Sequence, residues 1–311
     1  MKTSVDCLAC FMGQALRVAR ISTADEAVHL EVARVVAALL PQMEMSLTPP
    51  ENSVAVYATI ARVTGCPDPY LAIKKESNDQ ALAILPDLLR EVKQSEVPLL
   101  AAFRLAIAGN IIDYGAMAGF DIGAAMERAR TMSFVIDESR HLFERVCRLP
   151  GKAKVLYLAD NCGEIVYDSL VIRCLVDLGL EVTVAVKEGP IINDALFADA
   201  LVCGLDQYAR IITNGTACPG TPLASCSDEF LHAFRGADLI LSKGQGNFET
   251  LSEAVSETEA DIFFLLTVKC SVVGAHLARL TGKGPDELPG QGEMVLYCRE
   301  RFPVVDRCSV L

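Results

Sequence analysis

Residues 154–175, KVLYLADNCGEIVYDSLVIRCL, join a short apolar run to a longer segment whose apolar residues have helical spacing. The run from Val155 to Ala159 has the length and composition of a buried strand. It ends at Asp160 and Asn161, and Glu164 follows where the helical spacing begins. A buried strand that leads into a helix is typical of α/β proteins, so this stretch predicts an α/β fold.

The chain beyond residue 150 repeats this alternation. Segments of helical spacing separate most of the further apolar runs, which are EVTVAVK (181–187), ARIITNG (209–215), LILSKG (239–244), DIFFLLTVK (261–269) and EMVLYC (293–298). Near-continuous apolar strands that alternate with helices form parallel sheets covered on both faces. We therefore predict a doubly wound, mostly parallel, three-layer α/β domain over residues 151–311.

Residues 1–150 show helical spacing and no convincing alternating strand. One clear example is ADEAVHLEVARVVAALLPQM (24–43), which begins with acidic residues as helices often do. In SNDQALAILPDLLREV (77–92), Ser77 and Asn78 resemble a helix N-cap, and we expect Pro86 to kink or divide the helix. This half predicts an all-helical N-terminal domain, either a bundle or a cap.

Composition excludes several classes of partner. The chain carries 28 basic and 40 acidic residues, a net charge of −12, whereas nucleic-acid backbones are bound by clustered lysine and arginine. Although 51% of the residues are hydrophobic, no uncharged apolar run reaches the roughly 18–20 residues of a spanning helix. The N-terminus lacks a signal-peptide pattern. We expect a soluble, cytoplasmic protein with no nucleic-acid or membrane partner.

The twelve cysteines, without a secretory signal, predict reduced thiols. Several are isolated among apolar neighbours and are expected to act as small buried hydrophobes, namely Cys147, Cys174, Cys203 and Cys298. Cys7 and Cys10 form a CxxC whose members share one helix face. The sequence leaves open whether this pair is structural, metal-binding or redox-active.

Polar and glycine-rich residues follow the predicted strands. Asp160 and Asn161 follow the first, Lys187 and later Asp194 the second, TNGTACPG (213–220) the third, SKGQGNFE (242–249) the fourth and Lys269 the fifth. Each alone fits a cap or a turn. Because ligands bind at the carboxyl ends of parallel strands, their coincidence there predicts a binding site.

The residue types at these strand ends indicate phosphate chemistry. Asp160, Asn161 and Asp194 offer the hard oxygen ligands that Mg²⁺ and Mn²⁺ prefer. Lys243 and the glycine-flanked backbone beside it offer a cation and N–H donors for a phosphate. The motifs G-x-G-x-x-G, G-x-x-x-x-G-K-[ST] and G-x-S-x-G are missing. The histidines all lie in helical patterns and are expected to be non-catalytic; they are His29, His141, His232 and His276.

The motifs LADNCGEIVYD (158–168), VKEGPIINDALFADA (186–200) and LILSKGQGNFETL (239–251) resemble the domain-of-unknown-function-89 family of metal-dependent damage-control phosphatases. GNIIDYG (109–115) and CLAC (7–10) extend the resemblance, the latter to the prokaryotic branch. The resemblance implies a helical domain joined to a Rossmann-like α/β domain. Cys162 stands where a small residue such as alanine is expected.

The resemblance also implies roles for individual residues. One divalent ion (Mn²⁺, Mg²⁺, Co²⁺ or Ni²⁺) would be held by Asp160, Asn161 and Asp194, Glu164 would contact substrate, and Lys243 would bind phosphate. These five are the predicted catalytic residues. The predicted substrate-binding residues are Asn110 and Asp113, which match the family's GN..D element, and Lys187, Gly215, Gly244, Asn247 and Lys269.

The resulting expectation is a metal-dependent phosphomonoester phosphatase acting on small phosphorylated metabolites such as sugar phosphates, as a monomer or small homo-oligomer. Two alternatives stay open. A carboxyl methyltransferase using S-adenosylmethionine would want a glycine-rich turn where Asp160 and Asn161 stand. A non-catalytic sugar-phosphate sensor would tolerate loss of a ligand or the lysine, yet all are present. Whether Asp160 attacks phosphorus as a nucleophile is also left open.

Overall fold

A computed structural model describes residues 1–111 and 133–299. Its α-helices, in chain order, are α1 Val5–Ser22, α2 Glu26–Leu39, α3 Pro49–Thr64, α4 Leu71–Gln94, α5 Pro98–Ile111, α6 Ser139–Cys147, α7 Glu164–Asp177, α8 Phe197–Val202, α9 Asp228–Arg235, α10 Gln245–Leu251 and α11 Ser271–Thr281. The strands are β1 Ile136–Asp137, β2 Lys154–Leu158, β3 Glu181–Val186, β4 Arg210–Thr213, β5 Leu239–Lys243, β6 Asp261–Val268 and β7 Glu293–Arg299.

The strands form one sheet in the order β1-β7-β6-β5-β2-β3-β4. Strands β2 to β6 are parallel, β7 is antiparallel to β6, and β1 is parallel to β7. All six apolar runs predicted from the sequence form strands, and the predicted mostly parallel α/β fold is confirmed. Strand β2 has β3 on one side and β5 on the other, so the chain order reverses between β2 and β5. Ligands bind in doubly wound sheets at this kind of switch point.

Side chains alternate between two cores on the two faces of the sheet. Tyr157 faces a core with α4, α5 and α7, whereas Leu158 faces a core with α9, α10 and α11. The strands are buried on both sides because their apolar runs are nearly continuous. This is the three-layer arrangement that the sequence predicted.

The N-terminal helices divide between two locations. Helices α1, α2 and α3 pack around a third core that includes Phe11, Val36 and Ile60. Helices α4 and α5 instead join the sheet core through residues such as Leu88 and Phe103. The predicted domain boundary at residues 150 and 151 stays a prediction, since α4 and α5 precede it and share the core of the sheet.

Some sequence expectations differ from the structure in detail. Pro86 lies inside the continuous helix α4 and does not divide it. Strand β1 lies in the half expected to be wholly helical; its two residues are too few to show an alternating pattern, and β7 supplies the pairing. Cys147 is exposed because Leu142 and Val146 form the buried face of α6, and Cys174 is only partly buried, whereas Cys203 and Cys298 are buried as predicted.

Across residues 1–111 and 133–299, no helix combines the length and the apolar character needed to cross a membrane.

Candidate active site

The loops after β2 and β3 meet at the switch point. Asn161 and Asp194 form an isolated antiparallel bridge. The Ala195 N–H donates to the Asp160 carbonyl at 2.8 Å, and the Cys162 N–H donates to the Asn193 carbonyl at 2.9 Å. These backbone hydrogen bonds bring the three predicted metal ligands together, although Asp194 lies far along the chain from the other two.

Asn161 connects two carboxylates. Its Nδ2 donates to Asp160 Oδ2 at 2.7 Å and to Glu164 Oε2 at 3.1 Å. Its Oδ1 is therefore turned away from these acidic groups and can serve as a ligand oxygen. Asp160 is buried at 7% exposure and Glu164 at 1%, so the negative charge here is concentrated away from bulk water.

Gly163 forms the turn between β2 and α7. Its φ of 78° favours glycine, and its N–H donates to Asn78 Oδ1 at 2.7 Å. Asn78 lies buried in the middle of α4 and not at the N-cap that the sequence suggested. Helix α4 thus holds the turn that sets where α7, and with it Glu164, begins.

Asp194 is the most clearly unsatisfied acidic group of the site. It is 2% exposed, and among the described residues no group donates a hydrogen bond to its Oδ2. The nearest cation is Lys187, whose Nζ lies 3.7 Å from this oxygen. A buried carboxylate oxygen with no donor is costly unless a cation binds it.

Burial shifts the acid–base behaviour of the cluster. It raises the pKa of Asp194 to about 8 and the pKa of Asp160 to about 6. The neighbouring carboxylates add to both increases, and Lys187 and Lys269 oppose them. Two carboxylates and an amide oxygen, with an orphaned oxygen among them, are a donor set that fits a hard divalent cation.

Gly244 allows the end of β5 to approach Asp160. Its φ is 78°, and a Cβ built on it would lie 2.0 Å from Asp160 Oδ2. No other residue type fits this space while the carboxylate keeps its position. The glycine predicted to bind substrate therefore sets the distance between β5 and the first predicted metal ligand.

Lys243, the last residue of β5, is fully buried and directs its ammonium at three protein oxygens. Nζ donates to Glu164 Oε1 at 2.5 Å, to Asp168 Oδ1 at 2.6 Å and to the Ala106 carbonyl at 3.0 Å. Burial alone would lower the pKa of Lys243, but Asp168 and Glu164 outweigh it and raise the pKa above its usual value. Lys243 is therefore a charged lysine held by two carboxylates.

Asp168 was not among the residues singled out from the sequence. It lies on α7, four residues after Glu164, and its Oδ1 also accepts from the Tyr157 hydroxyl at 2.7 Å. Burial raises the pKa of Asp168 to about 7, although Lys243 opposes this. The available signal was an acidic residue one helical turn after Glu164, in the mostly apolar first half of the helix, because residues at i and i+4 share a face.

Lys187 and Asn247 form a second buried network beside Asp194. Lys187 Nζ donates to the Gly220 carbonyl at 2.9 Å and to Asn247 Oδ1 at 3.1 Å. Asn247 Nδ2 in turn donates to the Lys243 carbonyl at 2.8 Å and to the Ala159 carbonyl at 3.2 Å. These predicted substrate-binding residues tie β5, β2 and the loop after β4 to one another.

The other predicted substrate-binding residues are Gly215, Lys269, Asn110 and Asp113. Gly215 has a φ of 81° and packs against Ser227, where a Cβ would lie 2.5 Å from the backbone nitrogen. Lys269 is exposed at the end of β6, and its N–H donates to Gln245 Oε1 at 2.8 Å. Asn110 lies in the last turn of α5, and Asp113 lies outside the described residues.

A small cavity lies beside the Asp194 loop. Its volume is about 160 Å³, and it is bounded by α1, α3, the segment 67–70 and the segment 190–192. Tyr57 and Ile192 are among its lining residues, and most of the others are apolar. Helices α1 and α3 therefore form one wall of a cavity whose other side is the segment that precedes Asp194.

This chain is similar in sequence and in structure to known proteins. Residues 3–283 match the damage-control phosphatase ARMT1-like domain. A damage-control phosphatase from Pyrococcus horikoshii is 35% identical, with 89% of this chain and 94% of that protein aligned. A damage-control phosphatase from Archaeoglobus fulgidus is 30% identical, with 89% and 96% aligned. A crystal structure of a DUF89 family protein from P. horikoshii superposes with a TM-score of 0.82 at 33% identity, covering 95% of this chain and 98% of that one.

Proposed function

This chain belongs to the damage-control phosphatase ARMT1-like domain family, and from that membership we propose that it is a metal-dependent phosphatase acting on small phosphorylated metabolites. The expected substrates are phosphomonoesters, including sugar phosphates and damaged relatives of them. The names of its relatives from P. horikoshii and A. fulgidus support phosphatase chemistry. The names of these relatives do not specify a metal or a substrate class, so both are part of the proposal.

One observation carries the metal requirement. Asp194 Oδ2 is buried without a hydrogen-bond donor among the described residues. The backbone bridge between Asn161 and Asp194 brings this residue next to Asn161 and Asp160. Asp160, Asn161 and Asp194 would hold the cation. When bound, a divalent cation would neutralise charge on the phosphoryl oxygens and lower the pKa of an attacking water.

The protein's own groups then have separable tasks. Asn161 keeps Asp160 and Glu164 in fixed orientation through its amide N–H groups. Glu164 lies between Asn161 and Lys243, since its Oε2 accepts from the former and its Oε1 from the latter. Lys243 was predicted to bind phosphate, but its buried ammonium donates to Glu164, Asp168 and the Ala106 carbonyl, so its task here is to hold Glu164 in position.

The surroundings of the site suit a small anionic metabolite. Lys187, Lys243 and Lys269 are the three lysines whose charge acts on Asp160. Lys187 and Lys243 are buried and offset the carboxylates of the site, whereas the exposed Lys269 is placed to attract an incoming anion. The apolar cavity between α3 and the Asp194 loop offers space for the organic part of a substrate.

The decisive experiment measures phosphate release from a panel of phosphorylated sugars and cofactors. Chelator-treated enzyme is supplied in turn with Mg²⁺, Mn²⁺, Co²⁺ or Ni²⁺, and Asp194→Asn is measured in parallel. We expect metal-dependent release by the wild type and a loss of at least 100-fold in the variant. Equal release by both proteins, or release that EDTA does not affect, would contradict the proposal.

A further inference from the structure

A second group of metal-binding side chains lies away from the switch point. Glu138, His141 and Cys298 each offer one ligand atom, and these atoms all lie within 4.8 Å of one another. Glu138 and His141 are partly exposed, whereas Cys298 is buried. From this convergence we propose a zinc-binding site of mixed oxygen, nitrogen and sulfur ligands, distinct from the proposed catalytic metal site.

The sheet brings Cys298 to this position. Cys298 of β7 pairs directly with Phe263 of β6, and paired residues of antiparallel strands present their side chains on the same face. The His141 ring packs edge-on against Phe263, with the ring centroids 5.1 Å apart. Contact with Phe263 therefore places the imidazole on the same face of the sheet as the thiol.

Glu138 is placed by its own backbone. Its N–H donates to the Leu296 carbonyl of β7 at 3.1 Å, which continues the parallel pairing of β1 with β7. Its Oε2 lies 3.2 Å from His141 Nδ1. Helix α6 is held against the sheet independently, because Arg145 Nε donates to Asp261 Oδ2 at 3.0 Å. All three donors thus lie on elements with fixed relative positions.

The donor set favours zinc over the hard cations expected at the switch point. Thiolate and imidazole are borderline-to-soft ligands that suit zinc, whereas Mg²⁺ and Mn²⁺ prefer oxygen. Ideal tetrahedral zinc bonds separate the ligand atoms by about 3.3–3.6 Å. Rotation of the partly exposed Glu138 and His141 side chains can supply the small contraction from the present spacing. A water molecule would complete the coordination.

The site lies apart from the proposed reaction. Phe263 is near the start of β6, and Lys269 follows its end, so about six residues at about 3.3 Å each separate the two along the strand. Cys298 also lies beyond residues 3–283, the part of the chain that matches the family. We infer that bound zinc would tie β7 to β1 and α6, and so would stabilise the edge of the sheet.

The test uses the full-length, chelator-treated protein and Co²⁺ as a spectroscopic substitute for zinc. Thiolate ligation gives cobalt a charge-transfer band that an all-oxygen site cannot give. We expect this band in the wild type, its displacement by zinc, and its loss in Cys298→Ser. Cys147→Ser, an exposed cysteine on the same helix as His141, is the matched control and should keep the band.

Because Cys298 is buried, its substitution could disturb folding. Variants of the partly exposed Glu138 and His141 therefore test the site independently. Loss of an outer-shell partner of a metal ligand weakens metal affinity by about 10–100-fold. Glu138→Gln and His141→Asn each remove a direct ligand and should weaken zinc affinity by at least this factor. Zinc should also raise the midpoint of thermal unfolding of the wild type more than that of either variant. A wild type without the band, a band retained in Cys298→Ser, or unchanged zinc affinity in both partly exposed variants would overturn the proposal.

Discussion

Lys243 Nζ lies 2.6 Å from Asp168 Oδ1, and both side chains are completely buried. Glu164 shares the same ammonium, so one lysine compensates two carboxylates beneath the loop that carries the proposed metal ligands. Removal of one member of a buried ionic network costs more than the net contribution of the network, because the partner charges stay behind.

We therefore expect Lys243→Met to lower the free energy of unfolding by about 3–5 kcal/mol, since it leaves two buried carboxylates without a cation. The double variant Lys243→Met/Asp168→Asn should recover part of this loss. Urea unfolding at constant pH measures both. The control is Lys75→Met, which removes an exposed pair with Asp79 and should change stability by at most about 1 kcal/mol. Additive effects of the two site substitutions would contradict a shared network.

Gly244→Ala tests the close approach of β5 to Asp160. The added methyl would displace the Asp160 carboxylate, so we expect metal affinity and phosphate release to fall by at least 100-fold. Gly282→Ala is the matched control, because Gly282 has a similar φ of 73° but nothing within 4 Å of the added Cβ. It should cost about 1 kcal/mol of stability through backbone strain alone. Equal metal affinities in the two variants would show that the approach to Asp160 is unimportant.

Metal affinity should depend on pH in a defined direction. Asp160 and Asp194 have pKa values raised by burial to about 6 and about 8, and a bound cation requires both carboxylates to be deprotonated. Apparent affinity should therefore increase as the pH rises from about 5 to about 8, and binding at neutral pH should release protons. Calorimetry in two buffers of different ionisation enthalpy measures the released protons. Affinity independent of pH between 6 and 8 would refute this.

Glu249 should make stability fall as the pH rises. Burial raises the pKa of Glu249 to about 7, and a hydrogen bond from Gln245 only partly opposes this. The unfolded chain loses the proton first, so the contribution of Glu249 is fully present below about pH 4.5 and is lost as the pH reaches about 7. Over this window the loss is at most roughly 3 kcal/mol.

Glu249→Gln should remove that part of the dependence. Unfolding by urea at several pH values from 4 to 8 compares the variant with the wild type. Glu253→Gln, on a side chain with 62% exposure, is the control and should keep the wild-type profile. Parallel profiles for the wild type and Glu249→Gln would show that Glu249 is ionised in the folded protein at all these pH values.

The sequence was most informative at the strand ends. Asp160, Asn161 and Asp194 could be grouped because the carboxyl ends of parallel strands meet at one edge, a rule that needs no knowledge of side-chain packing. Asp168 and Asn78 escaped this reasoning because both lie inside helices, where spacing shows which residues share a face but not which neighbour they meet. The spacing of Asn78 from Gly163 along the chain gives no indication of their hydrogen bond.

The group formed by Glu138, His141 and Cys298 was equally inaccessible to sequence reasoning. Cys298 looked like a small buried hydrophobe, which it is, and His141 lay in a helical pattern, which is also correct. Their proximity depends on β7 reversing direction and pairing with β6, and on the two-residue strand β1 that the pattern did not reveal. Long-range pairing of this kind is a property of the tertiary fold.

The bridge between Asn161 and Asp194 is made by main-chain atoms, so the spacing of the proposed metal ligands does not depend on the side chains themselves. We therefore expect that a side chain substituted at either position leaves the backbone of the other position where it is. A histidine or cysteine introduced at position 194 would alter the preferred ion without rebuilding the loops. The same backbone could thus be adapted, by evolution or by design, to whichever divalent ion the cell supplies.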